Sequence, residues 1–225
     1  MRVVVTITAH NESKVIGTVL KKIPEGMDVI VVDDGSTDNT AAIAREYGAK
    51  VIQHPINLGQ GVAVVTSFKA ALMDDYDIVV EMDGDGQHNP EEIPAFLERI
   101  AEGKSDIVVG SRYLGSTYEA PLYRRLGIPF FTFLVNTITK YRLTDSMCGF
   151  RVFRSEALKE FCYDLNQSRQ YMAPEIFIKA ALHGLSVEEI PVHVSERPYG
   201  TSWKGALKYG YGLLKTIFKT LSEEQ

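Results

Sequence analysis

Apolar, β-branched runs alternate with segments of helical spacing through the first half of this 225-residue chain, and that alternation limits the folds open to it. The runs at 2–8, 28–33, 50–53, 77–82 and 106–110 read as buried strands. Between them, 12–22, 38–48, 60–73 and 90–102 carry apolar residues at helical intervals. Strands separated by single helices need right-handed crossovers, so an α/β fold is expected, with a mostly parallel sheet and helices on both faces. Asn89-Pro90-Glu91-Glu92 has the composition of a helix start, and Ser36 or Thr37 is expected to cap the helix near Asp38. The second half loses this rhythm: 121–142, 172–184 and 203–221 read as helices, 149–154 and 186–194 as strands.

Two of the apolar runs end in acid. Asp33 and Asp34 close one, beside Gly35; Asp83 and Asp85 close another, beside Gly84 and Gly86. In an open α/β sheet, ligands bind at the carboxyl ends of the strands. Carboxylates collected there repel one another unless a cation or a donor-rich ligand lies between them. Asp33 or Asp34 can accept hydrogen bonds from a base or a ribose. Asp83, Asp85 and Gln87 alternate along a segment read as extended, so they project to one side as hard oxygen ligands for Mg²⁺ or Mn²⁺. The plainer reading makes Asp34-Gly35-Ser36 a turn, the second stretch a solvated loop and His88 a surface residue. Asn57-Leu58-Gly59-Gln60-Gly61 either presents backbone N–H groups to a ligand or is a tight turn into a helix. There is no GxxxxGK[ST] loop, no GxGxxG after the first strand and no EF-hand spacing.

Composition excludes several classes. Hydrophobic residues at 45% and charged residues at 24% are those of a globular protein. A net charge of −5 gives no whole-chain attraction to nucleic acid. Cys148 and Cys162 have neither metal-ligand nor CxxC spacing, which points to a reduced, cytoplasmic setting. The chain opens on a strand-like run, so no signal peptide is expected, and Ile128–Val135 is far shorter than the ~20 residues that cross a bilayer. From Trp203, apolar residues recur at 207, 211, 214, 218 and 221, beside Lys204, Lys208, Lys215 and Lys219. Such a helix either lies on an anionic membrane or packs on the core. Phe130, Phe131 and Phe133, flanked by Arg124, Arg125, Lys140 and Arg142, form a second candidate membrane-facing element.

The chain resembles the family 2 glycosyltransferases of GT-A fold, most closely the dolichyl- or polyprenyl-phosphate sugar synthases. The resemblance rests on Ala9-His10-Asn11-Glu12, Val32–Asp38, Asn57–Gly61, Met82–His88, Gly110-Ser111-Arg112-Tyr113 and Gly149-Phe150-Arg151, in that order. It implies one GT-A catalytic domain over 1–202, its donor half about 1–113 and its acceptor half about 114–202, with an amphipathic tail at 203–225. It further implies that Ala9, Glu12, Asp33 and Asp34 hold base and ribose, that Asp83 lies beside the donor, and that Asp85 and Gln87 carry the metal on the diphosphate. Arg112 then faces a donor or acceptor phosphate, Arg151, Arg197 and Ser202 contact substrate, and Asp145 stands as an acceptor-side acid or base. The implied reaction inverts the anomeric centre, moving a sugar from a GDP- or UDP-sugar to a polyprenyl phosphate or saccharide, in the cytoplasm or peripherally on the inner membrane face. Thr8, His10 and Gln60 depart from the family's usual Pro, Tyr and Lys, and Trp203 stands where Lys is usual. The competing readings are a sugar-1-phosphate nucleotidyltransferase, which should carry a Gly-rich basic loop where Ala9-His10-Asn11-Glu12 stands, and a non-catalytic nucleotide-binding protein.

Overall fold

A computed structural model describes residues 1–114, 121–166, 172–195 and 203–223, with side chains for all of these but 203–209 and 223. Seven strands form one sheet: β1 (Val3–Ala9), β2 (Asp28–Asp33), β3 (Lys50–Gln53), β4 (Ile78–Asp83), β5 (Ile107–Ser111), β6 (Arg151–Arg154) and β7 (Val187–Pro191). Their order is β3-β2-β1-β4-β6-β5-β7. Only β6 runs antiparallel to its neighbours; the other pairings are parallel. Register positions the chemistry: Ala9 pairs with Asp33 and Thr8 with Asp83, so both acidic strand ends flank the end of β1.

Strand alternation feeds two cores. Val5, Ile7, Val80 and Met82 face α1 (Ile16–Lys21) and α4 (Ile93–Ala101), whose Ile16, Phe96 and Ile100 are fully buried. Val4 and Val79 face the other way, towards α3 (Gln60–Met73) and α6 (Ser155–Phe161). There Phe68 meets Phe153 edge to face at 5.2 Å. Truncating such a fully buried ring to alanine costs about 3–5 kcal/mol. The remaining helices are α2 (Thr40–Glu46), α5 (Leu122–Thr139), α7 (Ala173–Leu182) and α8 (Trp203–Glu223), with α8 packed on α5 and α7.

Local chemistry departs from expectation in places. The Asn89 cap is present, its side chain accepting from Glu91 N, but it opens a 3-10 turn that leads into α4. Neither Ser36 nor Thr37 caps α2; Asp38 Oδ1 instead accepts from the N–H and hydroxyl of Thr40. Those bonds, with others from Ser13, outweigh the cost of burial and hold the Asp38 carboxyl down at about 2. The chain leaves the sheet after Pro191, three residues before the expected end of β7. The short helix α6 was not anticipated. Among the described residues, no helix is long and apolar enough to cross a membrane.

Candidate active site

A cleft of about 590 Å³ opens at the carboxyl ends of β1, β2 and β4. Its first wall is the turn after β2. Gly35 is there because it must be: its φ is 67°, and a Cβ would sit 2.3 Å from the carbonyl carbon of Ile56. That close approach lets Asp34 reach the next loop. Its Oδ1 accepts from Leu58 N at 2.9 Å and from His54 Nδ1 at 2.8 Å, and its Oδ2 accepts from Gly59 N at 2.8 Å. Burial works to raise the Asp34 carboxyl, but the bonds from His54, Leu58 and Gly59 win and lower it. Of the two readings of Asn57–Gly61, the bonds favour the tight turn into a helix: the Leu58 and Gly59 N–H groups are engaged by Asp34.

Ala9, Glu12, Asp34, Asp83, Asp85, Gln87 and Arg112 all line this cleft. The extended segment expected for 83–87 is a turn instead, with Gly86 at φ 74°. Gly86 cannot carry a side chain, since a Cβ would meet Val15 at 2.5 Å. Asp83 Oδ1 accepts from Gln60 Nε2 at 2.9 Å, so Gln60 supplies a neutral donor to this carboxylate. The backbone of Gln87 donates to Asp85 Oδ1, while its Nε2 donates to Ser195 O at 3.0 Å. With Nε2 so placed, the amide oxygen of Gln87 is the atom offered to a cation. Among the described residues, no group of three His, Cys, Asp or Glu gathers around a metal position. One carboxylate and one amide oxygen fit a hard cation whose other ligands are phosphate oxygens and water.

Several sequence-assigned residues stand elsewhere. Asp33 is buried and outside the cleft lining, its Oδ1 accepting from Ser36 N. Arg151 lies inside the sheet, paired with Glu81 at 2.9 Å, because β4 and β6 put the two side chains opposite each other. Asp145 is also fully buried. Its Oδ2 accepts from Arg112 Nε at 2.5 Å and its Oδ1 from Arg112 Nη2 at 2.7 Å, with Arg112 N and Met147 N adding further bonds. A carboxylate so engaged orients Arg112; it is not placed to take a proton from an acceptor. Arg197 and Ser202 lie outside the described residues. His88 is no surface residue. It is buried against Phe150, and burial first, then Arg112 and Arg151, push its imidazole down to about 3, so it is neutral.

Where α5 and α8 line the cleft it is largely apolar. Gly127, Ile128 and Phe131 of α5 stand there with Gly210 and Leu213 of α8, and Arg124 of α5 adds a cation to the lining. Sequence reasoning missed His54 and Gln60 as partners of Asp34 and Asp83, and missed Glu189 altogether. His54 had a readable signal, since it follows β3 in register with the end of β2.

The family model described as "Glycosyl transferase family 2" matches residues 4–162. The chain belongs to that family. It is thus a glycosyltransferase, built on the GT-A fold. This glycosyltransferase is 33% identical to the UDP-N-acetylglucosamine–dolichyl-phosphate N-acetylglucosaminyltransferase of Methanococcus voltae, over 92% of this chain and 93% of that protein. It is 32% identical to the dolichyl-phosphate hexose transferase of Haloferax volcanii, over 98% and 94%. The fold is also that of glucosyl-3-phosphoglycerate synthase from Mycobacterium tuberculosis, solved with Mn²⁺, UDP and glucosyl-3-phosphoglycerate. That likeness has a TM-score of 0.75 at 19% identity and covers 97% of this chain and 79% of the other.

Proposed function

We propose that this family 2 enzyme transfers a sugar from a nucleoside-diphospho-sugar to the phosphate of a polyprenyl phosphate, inverting the anomeric carbon, as a peripheral protein at a membrane surface. The mixed lining of the cleft carries this reading. Acidic and amide oxygens of Asp83, Asp85 and Gln87, the cationic Arg112 and Arg124, and the apolar Ile128, Phe131 and Leu213 share one cleft. A polyprenyl phosphate has the matching profile of one anion on a long apolar chain. The names of the Methanococcus and Haloferax relatives carry the same acceptor class.

The chemistry then needs little of the protein. An acceptor phosphate oxygen forms a bond to C1 while the bond from C1 to the diphosphate oxygen breaks, and the diphosphate leaves with that electron pair. No proton has to move, because the acceptor is already an anion. A sugar hydroxyl would require a positioned base, and Asp145 is committed to Arg112. Arg112 and Arg124 offset the charge of the acceptor phosphate against that of the donor. A divalent cation held by Asp85 and Gln87 would supply neutralisation of the leaving diphosphate. Asp34, with the Leu58-Gly59 loop it fixes, shapes the nucleoside end.

Incubation of the protein with UDP-glucose, UDP-N-acetylglucosamine or GDP-mannose, each with Mn²⁺ and undecaprenyl phosphate in detergent, tests this directly. Mass spectrometry is expected to find a glycosyl phosphopolyprenol with one donor. Transfer to 3-phosphoglycerate but not to the lipid, or to neither, would overturn the reading.

A further inference from the structure

We propose that Glu189, on strand β7 and outside the cleft lining, is a positioning residue for Arg112 and acts on it through Thr144 and Asp145. Glu189 Oε2 accepts from Thr144 N at 2.7 Å and from the Thr144 hydroxyl at 2.9 Å, and its Oε1 accepts from Asp145 N at 2.8 Å. One carboxylate thus grips two adjacent residues of a loop whose flanks, Leu143 and Ser146, are tied to Asn136 and Thr132 of α5. Asp145 passes the grip on through its paired bonds to Nε and Nη2 of Arg112. A fork-on-fork pair fixes both the position and the plane of the guanidinium. The Thr144 hydroxyl also meets Ser111 Oγ at 2.6 Å, which ties the loop to the end of β5, the residue before Arg112. The sheet edge therefore sets where the guanidinium stands in the cleft. The inference rests on Arg112 serving the proposed transfer; the geometry of the relay does not.

Replacing Glu189 by Gln is a sharp probe because of the donor arithmetic. Three donors converge on this carboxylate, and an amide turns its NH₂ towards at least one of them. In ¹⁵N-arginine-labelled protein, the Arg112 Nε–Hε signal, assigned with Arg112→Ala, is expected to exchange with water on the order of tenfold faster in Glu189→Gln. The buried Arg151 signal, held by Glu81, is the internal control and should stay within about twofold. Thr144→Val, which removes only the hydroxyl bonds, should give a smaller change of the same sign. If Glu189→Gln does not fold, Glu189→Asp, which retracts the carboxylate by one methylene, replaces it. An unchanged Arg112 signal in a folded Glu189 variant, or an equal change at Arg151, overturns the relay.

Kinetics supply the second arm. Glu189→Gln should lower kcat/KM for undecaprenyl phosphate on the order of tenfold in the wild-type background and by less than about twofold in the Arg112→Ala background. Equal losses in both backgrounds mean that Glu189 acts on something other than Arg112, and overturn it. If no donor and acceptor pair reacts at all, the functional reading fails while the spectroscopic arm still decides the relay.

Discussion

Asp34 shows how one carboxylate can serve fold and site together. Its oxygens accept from His54, Leu58 and Gly59, and the loop they hold lines the cleft with Asn57 and Gly59. In Asp34→Asn one amide N–H must face another donor, at a cost of about 1–3 kcal/mol. Urea unfolding should show that loss, and a stability equal to wild type would mean that the loop holds itself. Glu81 makes the opposite case. Burial, opposed by Arg151 and aided by the Asp83 charge, pushes its carboxyl up to about 7 from an ordinary 4.5. Between those values the folded chain keeps a proton that the unfolded chain has released, so stability falls as pH rises through the window. The drop is on the order of 1–3 kcal/mol. Glu81→Gln leaves Arg151 without its carboxylate and is less stable at any pH, so the slope is the readout: melting temperatures at pH 5 and pH 7.5 should converge in the variant. An undiminished slope would place the titration elsewhere. Neither role was visible in the residues themselves. Asp33 and Asp34 read alike in sequence, and only the bonds from Leu58 and Gly59 to Asp34 show which side chain reaches the neighbouring loop.

Elements with a strong periodic signal were legible, and those whose identity depends on partners were not. Four of the five runs of the first half are strands because β-branched residues buried on both faces allow little else, whereas β3, at the sheet edge, is only half-buried. The reversed direction of β6 was hidden, since Arg151–Arg154 has no sequence mark of antiparallel pairing. Helix α6, at seven residues, is too short to show a period. The loop between β4 and α4 was read with the right residues and the wrong backbone: Gly84 and Gly86 make a turn that still brings Asp83, Asp85 and Gln87 to one cleft. That loop predicts its own ligand. Addition of UDP or GDP with Mn²⁺ should raise the melting temperature, since a ligand of the folded state stabilises it. Asp85→Ala and Gln87→Ala should each abolish the Mn²⁺-dependent part of that rise, and a full rise in both would move the cation to other residues. On the acceptor side, Gly127 of α5 has open space where a Cβ would stand, while a Cβ on Gly210 of α8 would touch the Phe131 ring at 3.4 Å. Gly127→Leu should therefore narrow the apolar end. The ratio of kcat/KM for undecaprenyl over geranyl phosphate is expected to fall on the order of tenfold, a methylene being worth about 0.8 kcal/mol. An unchanged ratio would mean that the lipid runs past α5 by another path.

At the scale of the molecule, the outer faces of α5 and α8 are the feature that the folded core leaves unused. Helix α8 buries Leu213, Thr216, Ile217 and Thr220, so of the stripe read from sequence at 207, 211, 214, 218 and 221, whose residue 207 has no described side chain, the other four positions are not the packed face. Tyr211 and Phe218 are instead 73% and 70% exposed. On α5, Leu122, Leu126, Phe130 and Phe133 recur every three or four residues and are likewise exposed. The two helices pack together, and Gly210 lies against Phe131 at the apolar end of the cleft. Large apolar side chains grouped this way mark a surface that meets something other than water. Arg124, Arg125, Lys215 and Lys219 lie on the same two helices, although the whole chain carries a net charge of −5. Apolar residues beside local positive charge on a net-acidic protein suit the proposed peripheral enzyme, whose cleft mouth they would bring to a lipid-borne phosphate on an anionic bilayer. The protein should therefore co-sediment with vesicles containing phosphatidylglycerol, less so in 0.5 M salt, where the Debye length falls to about 4 Å. Phe133→Asp with Phe218→Asp should lower that partitioning at least tenfold, because two apolar anchors are exchanged for charges the bilayer repels. The same pair should leave turnover of a detergent-solubilised acceptor within about twofold, since neither side chain lines the cleft. Vesicle binding that survives both substitutions would assign the membrane contact to another face, and a wild-type protein that stays in the supernatant would leave the lipid to be delivered by a partner.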